Sequence, residues 1–257
     1  MTTIGDPGRD LFDLDGRIAV VTGGSRGLGR EMVLAFAARG AHVVIASRKL
    51  DNCEAVAREV RALGRRALPV AYHAASWSGG DELAAAAYAE FGRVDVLVNN
   101  AGMSPLYPSV DAVTEDLYDK VMGVNLKGPF RLSAVIGTRM QADGAGSIIF
   151  VSSVASQRPG PTELVYGPAK AGLNALTYGL ARTLGPQVRV NCIVPGPFLT
   201  DISKAWDLDA FERGARAGYA LQRGGLPHEI VGAALYFASD ASSYTTGTTL
   251  NVDGGPR

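Results

Sequence analysis

The sequence predicts an α/β protein: one doubly wound domain over residues 1–257, with a seven-stranded parallel sheet and helices on both faces. Three observations carry this expectation. Short runs rich in Val, Ile and Ala recur without polar alternation, as strands buried on both faces require. Between successive runs lie stretches with apolar residues three and four apart, the period of a helix. Strand–helix alternation of this kind builds parallel sheets, and no linker, composition shift or internal repeat divides the chain.

The elements follow in order. "RIAVVTG" (17–23) reads as the first strand. Leu28, Met32 and Phe36 then repeat at i+4, with Gly40 as a stop. "HVVIAS" (42–47) is the second strand, followed by a helix with Leu50, Cys53, Ala57, Val60 and Leu63 on one face and Gly64 behind it. "ALPVAY" (67–72), a helix at 81–92 and "DVLVNNAG" (95–102) come next. Helix 114–140, strand 147–153, helix 163–184, strand 188–196, helix 227–239 and strand 248–255 complete the alternation. Residues 197–226 are left as an irregular insertion of about 30 residues, a length usually tied to function.

Lys and Arg total 25 and Asp and Glu total 25, so the formal net charge is zero. That balance argues against nucleic-acid or anionic-membrane partners, which need a basic excess. No apolar run reaches the roughly 18 residues of a membrane span, and the acidic opening "MTTIGDPGRDLFDLDG" has no apolar signal core. Cys53 and Cys192 fall on apolar helix and strand positions, as buried thiols of a reducing compartment would. A cytoplasmic protein is expected. His42, His73 and His228 are scattered and no ligand spacing appears, so no metal site is expected. A hydrolase elbow of the GxSxG kind is absent too.

"TGGSRGLG" (22–29) places Gly23, Gly27 and Gly29 between the first strand and first helix. Glycines there let the backbone turn sharply and approach a pyrophosphate at a helix N-terminus, although a plain β–α turn could also use them. Ser25, Arg26 and Leu28 complete this candidate cofactor turn. The second strand ends in Ala46, Ser47 and Arg48, with no carboxylate to accept from a ribose 2′-hydroxyl. Arg26 and Arg48 favour a 2′-phosphate, so NADP(H) is the expected cofactor and NAD(H) the alternative.

Tyr166 and Lys170 are four apart, and Ser153 lies thirteen before the tyrosine. Residues at i and i+4 share a helix face. Taken alone, the pair fits an ordinary exposed amphipathic helix. With "TGGSRGLG", "NNAG" (99–102), Asn125, Ser153, "YGPAK" (166–170) and "PGPFLT" (195–200) in register, the chain resembles the short-chain dehydrogenases/reductases over almost its whole length. Its opening is also similar to that of gluconate 5-dehydrogenases, and 3-oxoacyl reductases are further candidate kin.

The resemblance implies a Rossmann-like domain, a nicotinamide cofactor and carbonyl–alcohol redox chemistry, in a homotetramer or homodimer. Tyr166 would be the general acid/base, Ser153 would donate to the substrate oxygen, and Lys170 would lower the phenol's pKa and bind the nicotinamide ribose. Asn125 would hold a water near a helix irregularity. Asn100, Ala101 and Gly102 would lie near the adenosine and ribose, and Pro195, Gly196 and Thr200 near the nicotinamide. His73 stands where many relatives have an adenine-side Asp.

For substrate, family position suggests Ser104, Leu106, Gln157, Arg158 and Leu164. Phe198, Leu199, Ile202, Trp206 and Phe211 would form a closing loop. The candidates are a 3-oxoacyl thioester, a small ketone, a steroid-like alcohol or a sugar acid. An NAD-dependent sugar-acid or alcohol dehydrogenase, a dehydratase or epimerase, and a non-catalytic NADP-binding regulator remain alternatives. Pro168 within the Tyr–Lys turn is tolerable only near a helix start, so the helix is expected to begin about a turn before Tyr166.

Overall fold

A computed structural model of the chain describes residues 10–201, 203 and 207–257. Seven strands form one all-parallel sheet: β1 (Ile18–Thr22), β2 (His42–Ser47), β3 (Ala67–Ala71), β4 (Val96–Asn99), β5 (Gly146–Val151), β6 (Val188–Pro195) and β7 (Thr249–Val252). Their order is β3-β2-β1-β4-β5-β6-β7. Val20 of β1 stands opposite Val44 on one side and Leu97 on the other. The chain therefore winds outward in both directions from the β1–β4 junction, which opens a crevice at the strands' C-terminal ends. Pro69 sits in β3, an edge strand where its missing amide proton is tolerated.

Because strand side chains alternate between faces, each strand feeds two cores. Val21, Ile45, Val98, Ile149 and Ile193 pack on one face against α1 (Gly27–Ala38), α2 (Leu50–Ala62) and α8 (Val231–Ala238). Val20, Val44, Leu97, Phe150 and Val190 pack on the other against α3 (Trp77–Phe91), α5 (Gly128–Asp143) and α6 (Tyr166–Leu184). Leu50 and Leu63, expected on the inner face of the second helix, are exposed at its two ends.

Four differences from the expected elements have local causes. α3 starts at Trp77, earlier than expected, because Ser76 caps it by accepting from Gly79 N at 3.0 Å. The single helix expected at 114–140 is two, α4 (Glu115–Met122) and α5, joined by a π-turn over Gly123–Lys127. α6 begins at Tyr166 itself, so Pro168 is its third residue and its missing amide is one of the first four that have no intrahelical partner anyway. The segment read as irregular contains α7 (Leu208–Gly218), capped by Asp207, whose carboxylate accepts from Ala210 N at 2.9 Å.

Candidate active site

The C-terminal ends of β1, β2 and β4 are knitted by a small set of bonds. Thr22 Oγ1 donates to Val98 O at 3.3 Å and accepts from the amides of Asn100 and Ala101 at 3.0 and 3.1 Å. Asn100 Nδ2 donates to the carbonyls of Thr22 and Gly23 at 3.0 and 3.3 Å. Ser25 Oγ donates to Ser47 Oγ at 2.9 Å, and Gly23 N to Ala46 O at 2.7 Å. The glycine turn is thus tied to the end of β2, where the two candidate arginines project. Glycine is required at 29 by close approach: a Cβ there would sit 2.2 Å from Gly23 O.

Arg26 is the N-cap of α1 and supplies no side-chain acceptor to that helix. Arg26 and Arg48 are both exposed, and neither forms an ion pair among the described residues. Uncapped helix amides, two unengaged guanidinium groups and no carboxylate at the end of β2 make a donor set that fits a phosphorylated dinucleotide. Thr200 reaches this turn from beyond β6, since a Cβ on Gly27 would lie 3.7 Å from its side chain. Leu28 packs on the neighbouring core.

Ser153, Tyr166 and Lys170 come together beside this crevice. Ser153 follows β5, while Tyr166 and Lys170 share the first turns of α6. The Ser153 hydroxyl lies close to the Tyr166 phenol and favours its ionised form. Lys170 is buried, 3 % exposed, with Nζ 5.6 Å from the centroid of the Tyr166 ring. Its Nζ donates to Val151 O at 2.8 Å. Burial pushes the Tyr166 phenol up to about 12; the Ser153 hydroxyl opposes this, and the Glu163 charge adds to it. Burial also pulls Lys170 down to about 8. Among the protein's own groups the phenol therefore moves opposite to the expected direction, because loss of solvation outweighs the stabilisation available to the phenolate.

Asn125 lies in the π-turn and is fully buried. Its Nδ2 donates to Val121 O at 2.9 Å and Met103 O at 2.8 Å, while Oδ1 accepts from Met103 N at 3.2 Å. A Cβ on Gly102 would meet Asn125 Oδ1 at 3.0 Å and Lys170 Nζ at 3.3 Å, so a side chain there would crowd both. A π-turn leaves helix carbonyls without their usual partner, and Val121 O is satisfied here by the asparagine.

A family model described as enoyl-(acyl carrier protein) reductase matches residues 23–256. The chain is 40 % identical over 247 residues to an L-rhamnose 1-dehydrogenase (NAD(P)(+)) of Azotobacter vinelandii, covering 93 % of this chain and 96 % of that protein. The chain belongs to the short-chain dehydrogenase/reductase family. Two solved structures of oxidoreductases superpose over nearly its whole length. A 7α-hydroxysteroid dehydrogenase with NADH and 7-oxo glycochenodeoxycholic acid gives a TM-score of 0.91 at 32 % identity, covering 96 % of each chain. A 3-oxoacyl (acyl-carrier-protein) reductase from Agrobacterium tumefaciens C58 with NADP gives 0.90 at 32 % identity, covering 95 % of this chain and 96 % of that one.

The remaining candidates of this short-chain dehydrogenase/reductase are spread around the crevice. Pro195 ends β6 opposite Val252, and Gly196 N donates to Val252 O at 3.0 Å. Ser104 is exposed on the segment after β4. Gln157 exchanges two amide hydrogen bonds with Asn251 of β7, at 3.2 and 3.3 Å. Phe198 is 7 % exposed, belongs to the core on the α1–α8 face, and packs its ring against Gly225. Ile202 and Trp206 lie outside the described residues.

Sequence reasoning missed two supports. Ser152 Oγ donates to Lys170 O at 3.0 Å, tying β5 to α6. Tyr107 Oη donates to Pro161 O at 3.3 Å and accepts from Leu164 N at 2.8 Å, strapping the segment after β4 to the approach to α6. Strand alternation does turn Ser152 away from Ser153, but nothing in the sequence marks Tyr107. No helix among the described residues is long and apolar enough to cross a membrane.

Proposed function

We propose that the protein interconverts a carbonyl compound and a secondary alcohol with NADP(H), using Tyr166 as the general acid in reduction and the general base in oxidation. The carrying observation is the convergence at the crevice of Ser153, Tyr166 and buried Lys170, whose Nζ lies 5.6 Å from the Tyr166 ring. When bound, the nicotinamide supplies or accepts the hydride. Tyr166 delivers the proton to the substrate oxygen, and Ser153 donates to the same oxygen as charge develops on it. Lys170, held by Val151 O, faces the Tyr166 ring and is placed to bind a ribose hydroxyl. Asn125 holds the segment at Met103 in place and is positioned next to Lys170 across Gly102.

Gly23, Ser25, Arg26, Gly27, Leu28, Gly29, Ser47 and Arg48 are proposed to hold the adenosine and pyrophosphate end. Asn100, Ala101, Gly102, Pro195, Gly196 and Thr200 are proposed for the remainder. An NAD-dependent sugar or sugar-acid dehydrogenase is the second reading, favoured by the likeness to the L-rhamnose enzyme. A homotetramer or homodimer in the cytoplasm is the proposed setting, on the family resemblance.

A panel of ketones, sugars and sugar acids assayed with NADPH and NADH tests the proposal. NADPH should give the higher kcat/KM. Arg48→Asp should move the NADPH/NADH ratio about 10- to 100-fold towards NADH, since one charge-assisted contact contributes about 1.5–3 kcal/mol. Faster turnover of the unaltered protein with NADH would defeat the arginine argument.

A further inference from the structure

Tyr166, Lys170 and Asn174 stand at successive i+4 positions of α6 and share one face. Each meets a serine of the segment leaving β5. Tyr166 lies close to the Ser153 hydroxyl, Lys170 O accepts from Ser152 Oγ at 3.0 Å, and Asn174 Nδ2 donates to Ser156 Oγ at 2.9 Å. The third rung takes no part in the chemistry above. Its amide is oriented from the far side, where Cys192 Sγ of β6 donates to Asn174 Oδ1 at 3.6 Å. Burial pushes the Cys192 thiol up to about 12, so it remains a donor at neutral pH.

Ser156 and Ser153 belong to one closed turn. Ser156 N donates to Ser153 O at 2.9 Å, and Ser153 Oγ accepts from Ala155 N at 3.2 Å. Gly167 allows the helix to approach this turn, since a Cβ there would lie 2.7 Å from Ala155 O. The turn's only regular structure is three residues of 3₁₀-helix, Val154–Ser156, and so short a piece has little rigidity of its own. Asparagine is a poor residue for a helix interior because its side chain competes for backbone groups. Its presence two turns into a helix of 19 residues calls for a specific partner, and Ser156 is that partner.

We propose that Asn174 is a positioning residue: through Ser156 it clamps the turn 153–156 onto α6 and thereby holds the Ser153 hydroxyl against the Tyr166 phenol. The inference rests on the reading of Ser153 and Tyr166 as the reacting pair. A displacement of about 1 Å in such a pair can reduce turnover on the order of a hundredfold. Because the Ser153 hydroxyl is what offsets burial at the phenol, displacing it should also raise the pH at which Tyr166 can act as a base.

The test uses the full chain with NADPH and the ketone turned over fastest in the panel above, comparing Asn174→Ala, Ser156→Ala, the double variant and Ser156→Thr. Each alanine variant should lower kcat about 10- to 100-fold while KM for NADPH stays within about twofold. The double variant should be no worse than either single one, because both break the same bond. Ser156→Thr keeps the hydroxyl and should retain activity. Near-normal kcat in both single variants, or fully additive losses, would overturn the clamp. Should Asn174→Ala fail to fold, Ser156→Ala in its partly exposed turn carries the same comparison.

Tyr166→Phe, run alongside, separates the two ideas. If it keeps turnover, or the unaltered protein has none, the functional reading is at fault. Amide hydrogen exchange at 154–158 then still decides the clamp. Faster exchange in the alanine variants supports it, and unchanged exchange removes it.

Discussion

Tyr166→Phe is expected to lower kcat by about 10²- to 10⁴-fold in both directions, the usual contribution of a positioned proton donor. The substitution removes one oxygen and keeps the ring, so cofactor binding should persist. With burial pushing the phenol up to about 12, Tyr166 is neutral at pH 7 and ready to give a proton. Carbonyl reduction should therefore be nearly flat across neutral pH, whereas alcohol oxidation, which needs the phenolate, should climb as pH rises. Steady-state rates against pH in each direction check this. Comparable turnover in the phenylalanine variant would remove Tyr166 from its role.

Lys170→Met should inactivate the protein and yet stabilise it at neutral pH. A folded-state value of about 8 against an ordinary 10.5 means that the charged amine is disfavoured in the fold by about 3 kcal/mol. For a group with a depressed folded-state pKa, the contribution to stability is fully present above 10.5 and lost as pH falls through about 8. At pH 7 the unaltered protein therefore carries the full penalty. Losing the bond to Val151 O removes about 1 kcal/mol, which leaves a net gain of about 2 kcal/mol, or roughly 4–8 °C in Tm. The gain should vanish near pH 10.5. Thermal melts of both proteins at the two pH values decide it, and a variant less stable at pH 7 would sink the argument.

Much of this was legible in the sequence because burial on both faces leaves a strong mark: β1, β2, β4, β5 and β6 are mostly apolar, and each falls within three residues of its expected limits. The spacing of Ser153, Tyr166 and Lys170 likewise identified groups that the fold brings together. The π-turn was hidden because its side chains keep a helical pattern while only the backbone bonding changes. α7 was hidden although Leu208, Phe211 and Ala215 recur at helical spacing, because Phe211 in that stripe reads equally well as a substrate-loop aromatic. The core packing of Phe198 was not legible either, since an aromatic in a loop can equally anchor that loop to the core. The direction of the phenol's pKa could not be read from spacing either, since it depends on desolvation more than on the neighbouring amine.

The π-turn amounts to one surplus residue spliced into what would otherwise be a straight rod from Glu115 to Asp143. Excising a single position from Gly123–Lys127 would be expected to return the backbone bonding to the ordinary helical pattern. The architecture would survive such a loss, but Asn125 would swing away from Met103 and from the cleft. A variant shortened in this way is expected to keep its compactness and lose the bonds from Asn125 to Met103 O and Val121 O.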